Sequence, residues 1–88
     1  MANSPQARKR AKQADVRRNH NASMRSRART YVKKTLAAIH AGNHGDAVAA
    51  FKLTTPIIDG MVNKGLYTKN KSARIKSRLN DRIKAIAS

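Results

Sequence analysis

Residues 24–39 read Met24-Arg25-Ser26-Arg27-Ala28-Arg29-Thr30-Tyr31-Val32-Lys33-Lys34-Thr35-Leu36-Ala37-Ala38-Ile39. Met24, Ala28, Tyr31, Val32, Leu36 and Ile39 recur at three- and four-residue spacing, which puts them on one stripe of an α-helix. At roughly 100° per residue, Arg29, Lys33 and Lys34, with Ser26 and Thr30, fall on the side away from that stripe. One helix thus carries a core-facing stripe and a cationic face. A period-two alternation of apolar and polar residues, the mark of a half-buried strand, is sustained nowhere in the chain. The expected fold class is all-α.

Upstream, Ser4-Pro5 is a strong helix start. The Ser hydroxyl can accept from a free N–H, and proline has no N–H to leave unsatisfied at the first helical position. Nothing interrupts the helix before Gly42, so a continuous run from Pro5 to Ala41 would be about 55 Å long. Before Met24 its only apolar residues are alanines and Val16. A helix polar on all sides needs an external partner, so residues 4–23 are expected to gain order on binding.

Downstream, a second helix is expected from Asn43, as N-cap, to about Lys64, with Gly65 in the left-handed position after it. Asp46 favours the positive end of that helix. Val48, Phe51, Thr55, Ile58 and Val62, flanked by Ala47, Ile57 and Met61, give it a wide apolar face. Pro56 removes a donor and presses on the Lys52 carbonyl, which predicts a bend near residues 54–56. A third helix is expected from Asn70 to Ile86, because Ile75, Leu79, Ile83 and Ile86 repeat at four, four and three. The result is a three-helix bundle in a single domain, residues 1–88. Residues 4–23 form a basic helical extension beyond the core, and residues 24–88 form the three-helix core.

The charge distribution follows the same division. Lys and Arg number 20, the acids four, all of them Asp, and the net charge is +16 with a pI near 11.7. Residues 1–34 carry a net +10, residues 35–63 a net −1, and residues 64–88 a net +7. Charge this one-sided opposes folding by self-repulsion unless a polyanion absorbs it. An ordinary solvated helix face gains stability from Glu–Lys pairs, and this chain has no Glu. Nucleic acid is the expected partner.

Other classes fit poorly. The chain has no Cys, so disulfides and thiolate zinc sites are excluded and a reducing cytoplasm is the expected compartment. No apolar run approaches the ~18 residues of a membrane span, and Met1-Ala2-Asn3-Ser4-Pro5 lacks a signal peptide's apolar centre. The first 23 residues also lack the Trp, Phe or Leu that a cationic membrane-surface helix inserts. His40 and His44 have the i, i+4 spacing of helical metal ligands, but Gly42 breaks the helix between them. No constellation for catalysis, a cofactor or a small-molecule substrate is present. Tyr31, Phe51 and Tyr67 are too few for an aromatic platform that stacks successive bases.

The candidate contacts on the first helix are Arg8, Lys9, Arg10, Lys12, Arg17 and Arg18, then Arg29, Lys33 and Lys34. Asn19, Asn21, Ser23, Ser26 and Thr30 add neutral groups suited to phosphate and 2′-hydroxyl oxygens. On the third helix Lys71, Arg74 and Arg78 form a row beside the Ile/Leu stripe. Phosphate contacts would supply most of the affinity. A nucleoid-type DNA-binding protein would exploit the same charge and is the alternative.

The chain resembles the bacterial small-subunit ribosomal protein S-twenty family over essentially its whole length. The resemblance is carried by Met1-Ala2-Asn3 with Arg8-Lys9-Arg10, and by Asn21-Ala22-Ser23 leading to Arg29-Thr30 and Lys33-Lys34. Its most specific part is the block from Gly65-Leu66-Tyr67-Thr68-Lys69-Asn70-Lys71 through Arg74, Lys76 and Arg78 to Leu79. The resemblance implies a structural, non-enzymatic constituent of the 30S subunit, monomeric within the ribosome. It would bind 16S rRNA directly, bridge rRNA helices in the lower body and act early in assembly. It also implies that the basic positions from Arg8 to Lys34, Arg25 included, and Lys69, Asn70, Lys71, Arg74, Lys76 and Arg78 contact rRNA. Lys69-Asn70-Lys71 is expected to be a loop. Tyr67-Thr68 stands where the family pattern would have Ile-His.

Overall fold

The computed structural model describes residues 4–87. The Met1-Ala2-Asn3 opening and Ser88 lie outside the described residues. Three helices, α1 (Pro5–His40), α2 (His44–Asn63) and α3 (Lys69–Ala85), account for nearly all of the chain, and the described residues contain no strand. The molecule measures 64 × 22 × 16 Å, because α1 outruns the two shorter helices packed beside its C-terminal half.

Local chemistry sets each boundary. Ser4 accepts from the Ala7 N–H at 3.1 Å, with Pro5 in the first turn. Asn43 caps α2 through its Oδ1, which accepts from the Asp46 N–H at 3.1 Å, while its Nδ2 donates to Asp46 Oδ2 at 2.8 Å. Both α1 and α2 end in the same glycine-terminated turn. Gly42 (φ 69°) lets the Asn43 N–H reach the Ala38 carbonyl at 3.1 Å, and Gly65 (φ 75°) lets the Leu66 N–H reach Met61 at 2.9 Å.

The third boundary corrects the sequence reading. Thr68, not Asn70, is the N-cap of α3, its hydroxyl accepting from the Lys71 N–H at 3.1 Å. Lys69-Asn70-Lys71 is therefore the first turn of a helix and not a loop. A hydroxyl placed three residues before a free N–H outcompetes the asparagine, whose own N–H lies inside the turn.

Pro56 does not split α2, which runs unbroken through it. The two preceding hydroxyls reach back into the same region, Thr54 donating to the Ala50 carbonyl at 2.8 Å and Thr55 to Phe51 at 2.9 Å. These bonds engage acceptors in the turn that the proline disturbs.

The core is smaller and less bulky than the apolar periodicity implies. Ala28, Ala47, Ile58, Met61, Leu79 and Ile83 are its buried hydrophobics, and Thr35, Thr54 and Ser72 are buried beside them. Phe51, Val32, Leu36 and Val48 are only half-buried. On α2 the buried line runs through Ala47, Thr54, Ile58 and Met61, rotated from the Val48–Thr55–Val62 line that hydrophobicity favours.

The reason lies between α1 and α2. Thr35 Oγ1 and Thr54 Oγ1 meet at 3.0 Å, and the Tyr31 carbonyl lies 3.1 and 3.2 Å from them. Each hydroxyl has one proton, so Thr54 donating to Ala50 leaves Thr35 to donate to Thr54 or to Tyr31. Every buried side-chain polar atom among the described residues has a partner. Small side chains at this seam let the helices approach, and the hydroxyls replace the bonds water would otherwise make.

Two substitutions test this packing by thermal melts in circular dichroism. Thr54→Leu forces a larger side chain into the seam and should lower stability by about 1–3 kcal/mol. Gly60→Ala should raise it by about 0.4–1 kcal/mol. Gly60 lies inside α2 without a positive φ, and a Cβ there would meet nothing within 4 Å.

Candidate nucleic-acid interface

The sequence-predicted contacts are almost all at the surface. Only Asn21 and Lys76 are half-buried, and the others are exposed. Of the 20 Lys and Arg residues, two meet a carboxylate among the described residues. Arg18 lies 3.2 Å from Asp15 along the exposed surface of α1, and Lys76 Nζ lies 2.7 Å from Asp59 Oδ1, tying α3 to α2.

Most of the cations fall into three sets. The first surrounds the protruding half of α1. At roughly 100° per residue, Arg8, Lys9, Arg10, Lys12, Arg17 and Arg18 project to all sides of the rod. Arg10 and Arg17 even continue the line of Met24 and Ala28, where the bundle would lie if it extended further. Apart from Ala7, none of the described residues before Asn21 is even half-buried, and Val16 remains 62% exposed. This half of α1 has no core of its own.

The second set lies on the flank of α1 around Tyr31. Arg27 Cζ lies 5.9 Å and Lys34 Nζ 5.5 Å from the Tyr31 ring centroid, on a residue whose backbone carbonyl joins the α1–α2 seam. The third lines an open groove between α1 and α3. Arg29 and Lys33 form one wall, Lys71, Arg78 and Arg82 the other, and Val32, Leu36, Ile75 and Leu79 the floor. No carboxylate lines it.

The single cationic face read from the α1 sequence is thus divided. Lys34 turns to Tyr31, whereas Arg29 and Lys33 turn to the groove. The α3 row divides as well, since Lys71 and Arg78 line the groove and Arg74 does not. Lys69 and Lys76 lie on the opposite flank of α3, beside Asp59. Thr30 Oγ1 donates to the Ser26 carbonyl at 3.0 Å, so its proton is engaged within the helix.

Sequence reasoning passed over Tyr67 and Arg82 as contacts, and took Arg27 only within the basic run from Arg8 to Lys34. Arg82 stands four residues after Arg78 on the same flank, a spacing that could have extended the row. The role of Arg27 is legible only once Tyr31 is seen at the edge of the core.

Comparison with known proteins assigns the chain to a family. The family model described as "Ribosomal protein S20" matches residues 2–84. This chain belongs to that family. It is 64% identical over 88 residues to the "Small ribosomal subunit protein bS20" of Marinobacter nauticus, covering all of this chain and 99% of that protein. The protein of the same name from Shewanella pealeana is 60% identical over 86 residues, 98% of each chain. That from Shewanella piezotolerans is 61% identical over 87 residues, 99% of each. The match covers the protruding half of α1 as well as the bundle.

The half-exposed Lys76–Asp59 pair should matter little to stability. Asp59→Asn is expected to cost at most about 1 kcal/mol in a chemical-denaturation curve at low salt. The difference should vanish at 1 M salt, where the screening length falls to about 3 Å. The same substitution leaves Lys76 unpaired and should delay elution from a heparin column.

Proposed function

We propose that this chain is a structural constituent of the small ribosomal subunit that binds 16S rRNA directly through its basic helix faces, helping to assemble and stabilise the 30S body. It is not an enzyme, and it works in the cytoplasm, where bacterial ribosomes are built. Residues 24–88 act as the folded core, and residues 4–23 as an extension ordered by the RNA.

One observation carries this reading: 18 of the 20 Lys and Arg residues meet no carboxylate among the described residues. Many of them stand on a rod and a groove whose shapes suit a folded polyanion. Cations on all sides of the rod cannot all be satisfied by one flat surface. They can be satisfied where the rod passes between phosphate backbones on opposite sides, which favours a role bridging RNA helices. Asn19, Asn21, Ser23 and Asn70 sit among the cations and can hydrogen-bond 2′-hydroxyls, which DNA lacks.

The discriminating experiment is filter binding of the full chain to 16S rRNA, with duplex DNA as competitor at fixed salt. The rRNA should resist competition by an equal mass of DNA, whereas equal competition would favour a nucleoid-type DNA-binding role. Log K should fall linearly with log salt, each phosphate contact adding about 0.7–0.9 to the slope. Arg78→Ala should reduce that slope by about one contact. Lys76→Ala should change it little, because Asp59 already neutralises that charge.

A further inference from the structure

We propose that the groove between α1 and α3 holds one unpaired nucleotide of the bound RNA, its base stacked on Tyr67 and its phosphates held by Arg29, Lys33 and Lys71. This rests on the RNA-binding reading above and names the ligand of one part of that surface.

The groove differs from the rest of the cationic surface in having an apolar floor. Phosphates of an intact duplex would use its walls and gain nothing from Val32 and Ile75. A base out of its stack would use both, because its flat face is apolar and its backbone is charged. The groove around Arg29, Val32, Lys33, Tyr67, Lys71 and Ile75 encloses about 320 Å³. With no carboxylate among those residues, charge complementarity selects an anion.

Tyr67 stands at the end of this groove on a rigid base. Its N–H donates to the Met61 carbonyl at 3.1 Å, within the turn that closes α2, and the next residue, Thr68, caps α3. Its ring packs partly against the core formed by Ala28, Ile58 and Met61, which fixes the remainder toward the groove. The Lys71 ammonium sits 4.4 Å from the ring centroid, covering the face that a base would use. Lys71 itself is exposed, and an ammonium that water can reach is weakly held on a ring. Exchange is therefore simple: the base takes the ring, and Lys71 moves to the phosphate that arrives with it. One ring reads one nucleotide, so the scarcity of aromatics that excludes a stacking platform does not exclude this site.

The test uses the full chain and 16S rRNA. Tyr67→Leu keeps an apolar side chain but removes the stacking face, and should weaken binding by roughly 5- to 150-fold, the usual range for one lost base stack. The salt slope should be unchanged, and Tyr67→Phe should bind like the unaltered protein. Binding to poly-glutamate, a polyanion without bases, should be the same for all three. Ultraviolet crosslinking of the unaltered chain should place a nucleotide on the peptide containing Tyr67, a readout that does not depend on how any variant folds. Equal rRNA affinity of Tyr67→Leu, an equal loss on poly-glutamate, or crosslinks only elsewhere would overturn the proposal while leaving RNA binding intact. Failure of the unaltered chain to bind rRNA would instead overturn the functional reading itself.

Discussion

The close approach of α1 and α2 is the constraint on which the rest of the molecule depends. Ala28, Thr35, Ala47 and Thr54 are small enough to bring the two backbones together, and Ile58 and Met61 are the large hydrophobic side chains buried almost completely. At the centre Thr54 donates to the Ala50 carbonyl, and Thr35 donates to Thr54 or to the Tyr31 carbonyl. A seam of this kind brings backbones close more than it supplies apolar area, and each hydroxyl keeps an acceptor in its own helix, Tyr31 for Thr35 and Ala50 for Thr54. It must hold a chain of charge +16 in which ion pairs do almost nothing to offset repulsion.

The placement of the charge follows from that seam. The near-neutral middle of the sequence becomes α2, the one helix that can sit deep in the bundle without carrying cations inward. The two basic arms become α1 and α3, which lie against it and keep their charged flanks apart. Because α3 leans on α2 and only lightly on α1, the α1–α3 side stays open as a groove with charged walls and an apolar floor. The rod beyond the bundle has nothing to pack against. Folding and RNA recognition are thus two parts of one energetic account, in which phosphates would supply the stabilisation that a larger core or surface carboxylates supply elsewhere.

Much of this was legible in the amino-acid sequence because helix signals are local. Ser4-Pro5, Asn43 with Asp46, Gly42 and Gly65 all act where their chemistry predicts, and the family could be read from the block running from Gly65 to Leu79. The helix count and the long α1 followed from these. What was not legible depended on how helices meet. Thr35 and Thr54 score as polar, so periodicity assigned the buried line of α2 to bulkier neighbours; their partnership exists only across the seam. Thr68 and Asn70 are both acceptable caps, and only the observed bond to the Lys71 N–H distinguishes them. That the basic residues lie at the surface was legible, because charge needs no tertiary information. Their division into a rod, a Tyr31 flank and a groove needed the relative placement of α1 and α3.

The central claim is that one seam holds the core and that RNA completes α1. Native-state hydrogen exchange, residue by residue, on the free chain and on its complex with 16S rRNA tests it most directly. Amides of residues 28–39 and 47–61 should be protected in both states, while those of residues 9–20 should exchange fast in the free chain and become protected in the complex. Strong protection of residues 9–20 in the free chain, or no gain in their protection on the RNA, would contradict the account.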